Sequence, residues 1–239
     1  MIKITDLVKK YGNTVVVDNL NLSIKKGSIF GFLGPNGAGK TTTIKMIIGL
    51  SQKNAGNVEI DGKDLSNISS RENIGYMPED PYFYDQLTAT EFLAFMAGLF
   101  KGKTRNIDET LELVGLKHAS DQKVGTFSKG MKQRLGLAQT IINDPDYIFM
   151  DEPLDGLDPI GRLEFKKIFL KLKNEGKTIF FNSHILSDVE EICDEIGIIC
   201  YGKLIYAGNI EKFCKGDSLE KKFVETIHKF TEEGNKFHE

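Results

Sequence analysis

Apolar residues recur with two different periods along this chain of 239 residues, and the switches between them divide it. Residues 1 to about 33 alternate short β-rich runs, Ile2 to Ile4, Val15 to Val17 and Leu20 to Ile24, with turn signals at Gly12-Asn13 and Lys26-Gly27. Antiparallel strands are expected there. Ile29 to Leu33 is an apolar run that feeds a glycine-rich stretch. Thr42 to Leu50 has helical composition ending near Gly49, which gives strand, loop and helix in succession. Asn57 to Ile60 followed by Asp61-Gly62 reads as a hairpin, and Ile74 to Met77 as a strand ahead of Pro78.

The period then lengthens. Thr88 with Glu91 three residues on makes a capping box ahead of FLAFMAGLF, and Ile107, Leu111 and Val114 fall at helical spacing, so residues from about 80 to 143 read as helical. Strand character returns at Tyr147 to Met150. Asp158-Pro159 opens a helix carrying Leu163, Phe165, Ile168, Phe169 and Leu172. Thr178 to Phe181 is a further strand, Ser187 with Glu190 a second capping box, and Ile196 to Cys200 with Leu204 to Ala207 a hairpin around Tyr201-Gly202-Lys203. Past Asp217 the chain is highly charged, yet Leu219, Phe223, Ile227 and Phe230 line one helical face, ahead of frayed last residues. Strands alternating with helices predict an α/β fold with a mixed, largely parallel sheet.

A chain of this length hides roughly 70–75% of its unfolded surface and needs no covalent staple. The formal net charge is −3, from 31 basic and 34 acidic residues that are interspersed, so no broad cationic face is offered to nucleic acid or anionic lipid. Cys193, Cys200 and Cys214 lack the spacing of a zinc site or disulfide framework, which points to a reducing cytosol. The start, MIKITDLVKKYGN, has no apolar leader core, and the longest apolar stretch, Phe92 to Phe100, falls far short of the ~20 residues of a membrane span. The expectation is a chain that neither crosses a membrane nor is secreted.

Candidate chemistry begins at GPNGAGKT: Gly34, Pro35, Asn36, Gly37, Ala38, Gly39, Lys40 and Thr41 complete the G-x-x-x-x-G-K-[ST] phosphate loop between a strand and a helix. Lys40 is expected to reach the β and γ phosphates and the Thr41 hydroxyl to ligate Mg²⁺, while the helix beginning near Thr42 turns its positive end to the same anions. The buried run Tyr147 to Met150 lifts Asp151 to the sheet's mouth as a Mg²⁺ ligand. Glu152, on the other face of the strand end, can deprotonate an attacking water; a solvated strand end is the plain alternative for the pair. Ser128 caps the helix of Met131 to Ile142, and with Gly130 it offers an anion site. On that segment alone, capping without a ligand is the simpler reading.

The ordered set GPNGAGKT, FSKGM, YIFMDEP, LDGLD and a lone His184 in FFNSH resembles the ATP-binding subunit of an ABC transporter, over residues 1 to about 215. The resemblance implies a P-loop NTPase core with an N-terminal antiparallel β subdomain and a helical subdomain inserted at about 80–143, followed by a C-terminal helix and tail at 216–239. It makes FSKGM the signature segment, LDGLD a dimer-contacting loop, His184 a switch histidine and Tyr11 the aromatic that stacks on adenine. Two positions depart from the family pattern. Glu79 stands where glutamine is usual and would join the metal site, and Lys129 and Met131 replace signature residues, leaving Ser128 and Gly130 in place. GYMPED and SKGMKQR resemble the exporter branch.

Further implications are an ATPase using ATP and Mg²⁺ and a second ATP-binding subunit, identical or not, arranged head to tail. A separate membrane-spanning permease would hold the chain at the cytoplasmic face, with no nucleic acid involved. Pro78, Pro81, Tyr82, Phe83 and Tyr84 would suit a surface coupled to the permease, and equally suit ordinary packing. The alternative with the same motifs is a soluble ATPase of iron–sulfur cluster assembly.

Overall fold

Residues 1–235 are described by a computed structural model. Strands β1 (Ile2–Tyr11) and β2 (Thr14–Ile24) form a long antiparallel hairpin. The sequence pattern ends the first strand at Ile4 and splits the second into Val15 to Val17 and Leu20 to Ile24, because polar residues interrupt them. The backbone instead carries each run across its interruption, with Asp6 and Asn19 both at a left-handed φ of 48° beside register shifts in the ladder. β3 (Ile29–Leu33) leads through the glycine-rich loop into α1 (Lys40–Ile47). β4 (Ala55–Ile60) turns through Asp61-Gly62 into β5 (Lys63–Asp64), as expected, and completes a four-stranded antiparallel sheet in the order β2-β1-β4-β5.

β6 (Ile74–Met77) precedes three helices, α2 (Ala89–Gly98), α3 (Ile107–Leu113) and α4 (Lys129–Ile141), separated by loops and short 3₁₀ turns. Then follow β7 (Tyr147–Asp151), α5 (Pro159–Asn174), β8 (Thr178–Asn182), α6 (Leu186–Ile192), β9 (Glu195–Cys200), β10 (Lys203–Asn209), α7 (Ile210–Cys214) and α8 (Leu219–Asn235). The second sheet has the order β10-β9-β3-β8-β7-β6, parallel throughout except for the β10 edge. Crossovers by helices produce this mixed α/β arrangement.

The central strands are buried along their whole length because each face meets a different core. Ile29, Leu33, Ile148, Met150, Ile179 and Phe181 point to the helices, joining a cluster with Phe92, Leu135, Phe165 and Phe169. Their neighbours Phe30, Phe32, Tyr147, Phe149 and Phe180 point the other way, toward α1 and the antiparallel sheet. The strand period of two thus assigns alternate residues to alternate cores. At the centre of the second core Phe180 stacks on Phe30 with centroids 5.5 Å apart, and lies 5.4 Å from Phe32 and 5.6 Å from Phe149.

Capping follows the sequence at three helices. Thr88 Oγ1 accepts the Glu91 N–H at 3.2 Å while Glu91 Oε2 accepts the Thr88 N–H at 2.8 Å. Ser128 Oγ accepts from Met131 N–H at 3.3 Å and Asp158 Oδ1 from Gly161 N–H at 2.6 Å, with Pro159 opening α5. Thr88→Ala is expected to destabilise the fold by about 1 kcal/mol, read as a lower urea midpoint at unchanged slope.

The expected capping box at Ser187 and Glu190 does not form. α6 begins two residues earlier, at Leu186, after Ile185 in the N-cap position without a side-chain cap, and Ser187 is exposed inside the first turn. Glu190 Oε1 accepts instead from the Leu219 N–H at 3.1 Å, where α8 starts. Ion pairs hold α6 to α5: Lys166 Nζ donates to Asp188 Oδ1 at 3.1 Å and also to Glu191, and Arg162 lies 3.6 Å from Asp188 Oδ2. Leu219 is buried, and Phe223 and Ile227 pack on the helical-side core, as the spacing predicts; the expected fraying of the last residues lies outside the described ones. Among the described residues no helix is long and apolar enough to cross a membrane.

Candidate active site

The loop after β3 folds around its own backbone. Gly39, in the left-handed region at φ 106°, is the N-cap of α1, and a Cβ there would stand 2.7 Å from the Val16 carbonyl oxygen. At Gly34 a Cβ would stand 2.3 Å from the Ile199 carbonyl oxygen. Only glycine fits at either position, so the loop packs tightly under β2 and β9. Lys40, Thr41 and Thr42 occupy the first helical turn, whose N–H groups have no partner inside the helix and carry the positive end of its dipole. The Lys40 ammonium curls back, donating to the Gly34 carbonyl at 2.8 Å and the Pro35 carbonyl at 3.2 Å. Burial lowers its pKa, against the opposing pull of Glu152, Asp151 and Glu79.

β7 and β8 deliver the acidic side of the site. Asp151, paired with Asn182 across the parallel ladder, is almost fully buried; Thr41 Oγ1 donates to its Oδ1 at 2.9 Å and Asn182 Nδ2 to the same oxygen at 2.5 Å. Glu152 turns out of the strand at φ 48°, and its N–H donates to Asn182 Oδ1 at 2.6 Å. That bend sends the Glu152 carboxylate to His184: Oε2 accepts the His184 N–H at 3.2 Å and lies 2.9 Å from Nδ1. An ionised carboxylate can only accept, so the hydrogen bond to the ring requires the proton on Nδ1.

A cleft of about 610 Å³ opens over these groups, lined by Asn36, Gly37, Gly39, Lys40, Thr41, Thr42, Glu79, Glu152 and His184 among the expected site residues, and by Val16 and Asp155 besides. Gly34, Pro35, Ala38 and Asp151 do not line it; the Gly34 and Pro35 carbonyls hold Lys40, and Asp151 holds Thr41. The Glu79 carboxyl is pushed up by partial burial and then by Asp151, Asp80, Glu152 and Asp155. Three further expected residues, Tyr11, Ser128 and Gly130, also do not line the cleft. Tyr11, at the end of β1, is exposed with Lys9 Nζ 4.7 Å from its ring centroid. Ser128 and Gly130 sit at the start of α4, where Lys129 Nζ meets Asp155 at 3.3 Å and Gln133 Nε2 donates to the Pro153 carbonyl at 3.0 Å.

Sequence reasoning passed over Asn182, although a polar residue closing the apolar run TIFFN was a visible signal. It also gave no separate role to Asp155, which faces the cleft and binds Lys129. The donor set fits Mg²⁺. A hydroxyl and a carboxylate from Thr41 and Asp151 converge beside Glu79, and hard oxygen donors in small number suit an ion that keeps phosphate and water ligands. Among the described residues no group of three or more His, Cys, Asp or Glu forms a metal cage. The loop's tight backbone and the lysine supply the complementary place for phosphate.

The ABC transporter family matches residues 17–155. An uncharacterized ABC transporter ATP-binding protein of Synechocystis sp. is 47% identical over 204 residues, covering 83% of this chain and 58% of that protein. The bacitracin transport ATP-binding protein BcrA of Bacillus licheniformis is 47% identical over 209 residues, covering 86% of this chain and 68% of that protein. This chain therefore spans a little over half to two thirds of those relatives' length. A solved structure described as the ATP binding subunit of an ABC transporter superposes with a TM-score of 0.87 at 29% identity, covering 95% of this chain and 99% of that one. Sequence, sheet order and loop geometry agree: this chain belongs to the ABC transporter family, among its ATP-binding proteins.

Proposed function

We propose that this chain binds ATP with Mg²⁺, hydrolyses it, and so drives export across a membrane through a separate membrane-spanning partner. The observation that carries the reading is one cleft lined by Lys40, Thr41, Glu152 and His184, with Asp151 buried behind it and bonded to Thr41. Lys40 and the first turn of α1 bind the phosphates, exchanging the Gly34 and Pro35 carbonyls for anionic oxygens. Thr41 and Asp151, with Glu79 near, hold Mg²⁺, which supplies charge neutralisation on the phosphates. Glu152 takes the proton of the attacking water, and His184 fixes the direction of its carboxylate.

Tyr11 stacks on the base from the rim, and Ser128 with Gly130 completes the γ-phosphate site of a second subunit facing head to tail. Their position outside this chain's own cleft supports that division. Residues 1–215 act as one ATPase unit with α2–α4 as its helical subdomain, and α8 is an appendage. The permease keeps the unit at the cytoplasmic face. The relative named for bacitracin transport supports a peptide antibiotic as the class of cargo.

The test is reconstitution with a candidate permease, a separate membrane protein of about six spans. Purified chain is expected to hydrolyse MgATP, faster in the partner's presence, and vesicles holding both are expected to move bacitracin-like peptide only with hydrolysable ATP. Hydrolysis that responds to a soluble iron–sulfur scaffold and never to the membrane protein would overturn the transport reading.

A further inference from the structure

We propose that Asn182 is a positioning residue for both acidic members of the site, setting the Asp151 carboxylate and the Glu152 backbone with one side chain; this rests on the roles given above to Asp151 and Glu152. Asn182 is fully buried at the end of β8, in a run whose other members are apolar or sealed in the sheet. A primary amide there carries a heavy desolvation cost unless both its ends are bonded. Both ends are bonded, and to the two neighbouring residues that matter. Oδ1 accepts the Glu152 N–H at 2.6 Å, and Nδ2 donates to Asp151 Oδ1 at 2.5 Å.

The register explains why one side chain can do this. Asn182 lies beside Asp151 as the last pair of the β7–β8 ladder, so the chain beyond Asp151 has no further strand partner. Glu152 then turns into the left-handed region at φ 48°, a strained conformation for a residue with a side chain. Its N–H leaves the ladder and is received by the amide oxygen of Asn182 instead. That bend is what aims the Glu152 carboxylate at His184. The other end of the amide, together with Thr41 Oγ1, occupies Asp151 Oδ1 and fixes the rotation of the carboxylate that would meet the metal.

A hydrocarbon of the same size would fill the space but free both. The Glu152 N–H would lose its acceptor, and the Asp151 carboxylate would keep only Thr41. A threonine hydroxyl can both donate and accept, but its single oxygen cannot occupy the places of both amide ends, so at least one of the two bonds is lengthened. Asn182→Leu and Asn182→Thr are therefore both expected to lower kcat for MgATP hydrolysis by about 10–100-fold. KM for ATP is expected to stay within about threefold, because Lys40 and the α1 turn are untouched, and the Mg²⁺ midpoint for activity is expected to rise. Threonine, β-branched and at home in a strand, keeps the test open where leucine fails to fold; a melting curve on each variant confirms that the protein compared is native.

Glu152→Gln is the parallel control. If it abolishes turnover while both Asn182 variants keep wild-type kcat and Mg²⁺ midpoint, the positioning role is wrong and the site reading stands. If Glu152→Gln itself leaves turnover intact, the role of Glu152 falls and this inference falls with it. A loss in the Asn182 variants that appears in KM alone, with kcat preserved, also overturns the inference.

Discussion

Glutamine in place of Glu152 is expected to reduce MgATP turnover by about 100-fold or more, with nucleotide affinity nearly unchanged. The substitution keeps the length of the side chain and an oxygen that can receive the His184 N–H, now at 3.2 Å from Oε2. What it removes is a group able to accept a proton from water. On the proposed function affinity rests with Lys40 and the first turn of α1, which line the same cleft and are unchanged by the substitution. Steady-state kinetics and equilibrium binding of ATP on the same preparation check the two halves of this expectation. If two chains close around ATP, gel filtration of the variant with MgATP will show the doubled species that hydrolysis otherwise disperses. Unchanged turnover would remove Glu152 from the role of base.

Phe180→Ala is expected to be among the most damaging changes to stability, at about 3–5 kcal/mol. The ring is fully buried and touches three others, from β3 and β7, at 5.4 to 5.6 Å between centroids. Its removal leaves a void between two sheets that cannot easily collapse, because the strands on either side are pinned by their ladders. The same three strands carry the phosphate loop, the Asp151–Glu152 pair and Asn182, so looseness here reaches the cleft. Urea denaturation gives the stability loss directly. Hydrolysis measured well below the new melting midpoint should recover much of the wild-type rate, which separates a weakened scaffold from a damaged site.

The parts of the fold that were legible in the sequence are those whose signals are local. GPNGAGKT needs no distant partner to declare a phosphate loop, Thr88 and Glu91 cap each other, and Asp158 caps the turn that Pro159 begins. From sequence β1 stops at Ile4 and β2 divides in two because a polar residue in a strand reads as an ending, whereas left-handed residues at Asp6 and Asn19 let the pairing continue. Ser187 and Glu190 have the right spacing for a cap and still fail to form one. Glu190 is recruited by the start of α8, 29 residues away, and α6 is held by charges on α5, neither of which a local pattern contains. Asn182 closes an apolar run and is conspicuous in that respect, but its part in the site was hidden for the same reason. Its importance lies in the β7–β8 register, which the sequence implies only once the strand order is known.

The lysine bound to its own loop has a further consequence. With Nζ already donating to the Gly34 and Pro35 carbonyls, an incoming phosphate does not meet a free cation but competes with two internal acceptors. Net affinity is then a difference between two bonded states, and a ligand whose phosphate tail stops short of the ammonium leaves the lysine where it is. On the proposed function, tail length would be the property selected, because only an anion that reaches Lys40 could displace the Gly34 and Pro35 carbonyls from it.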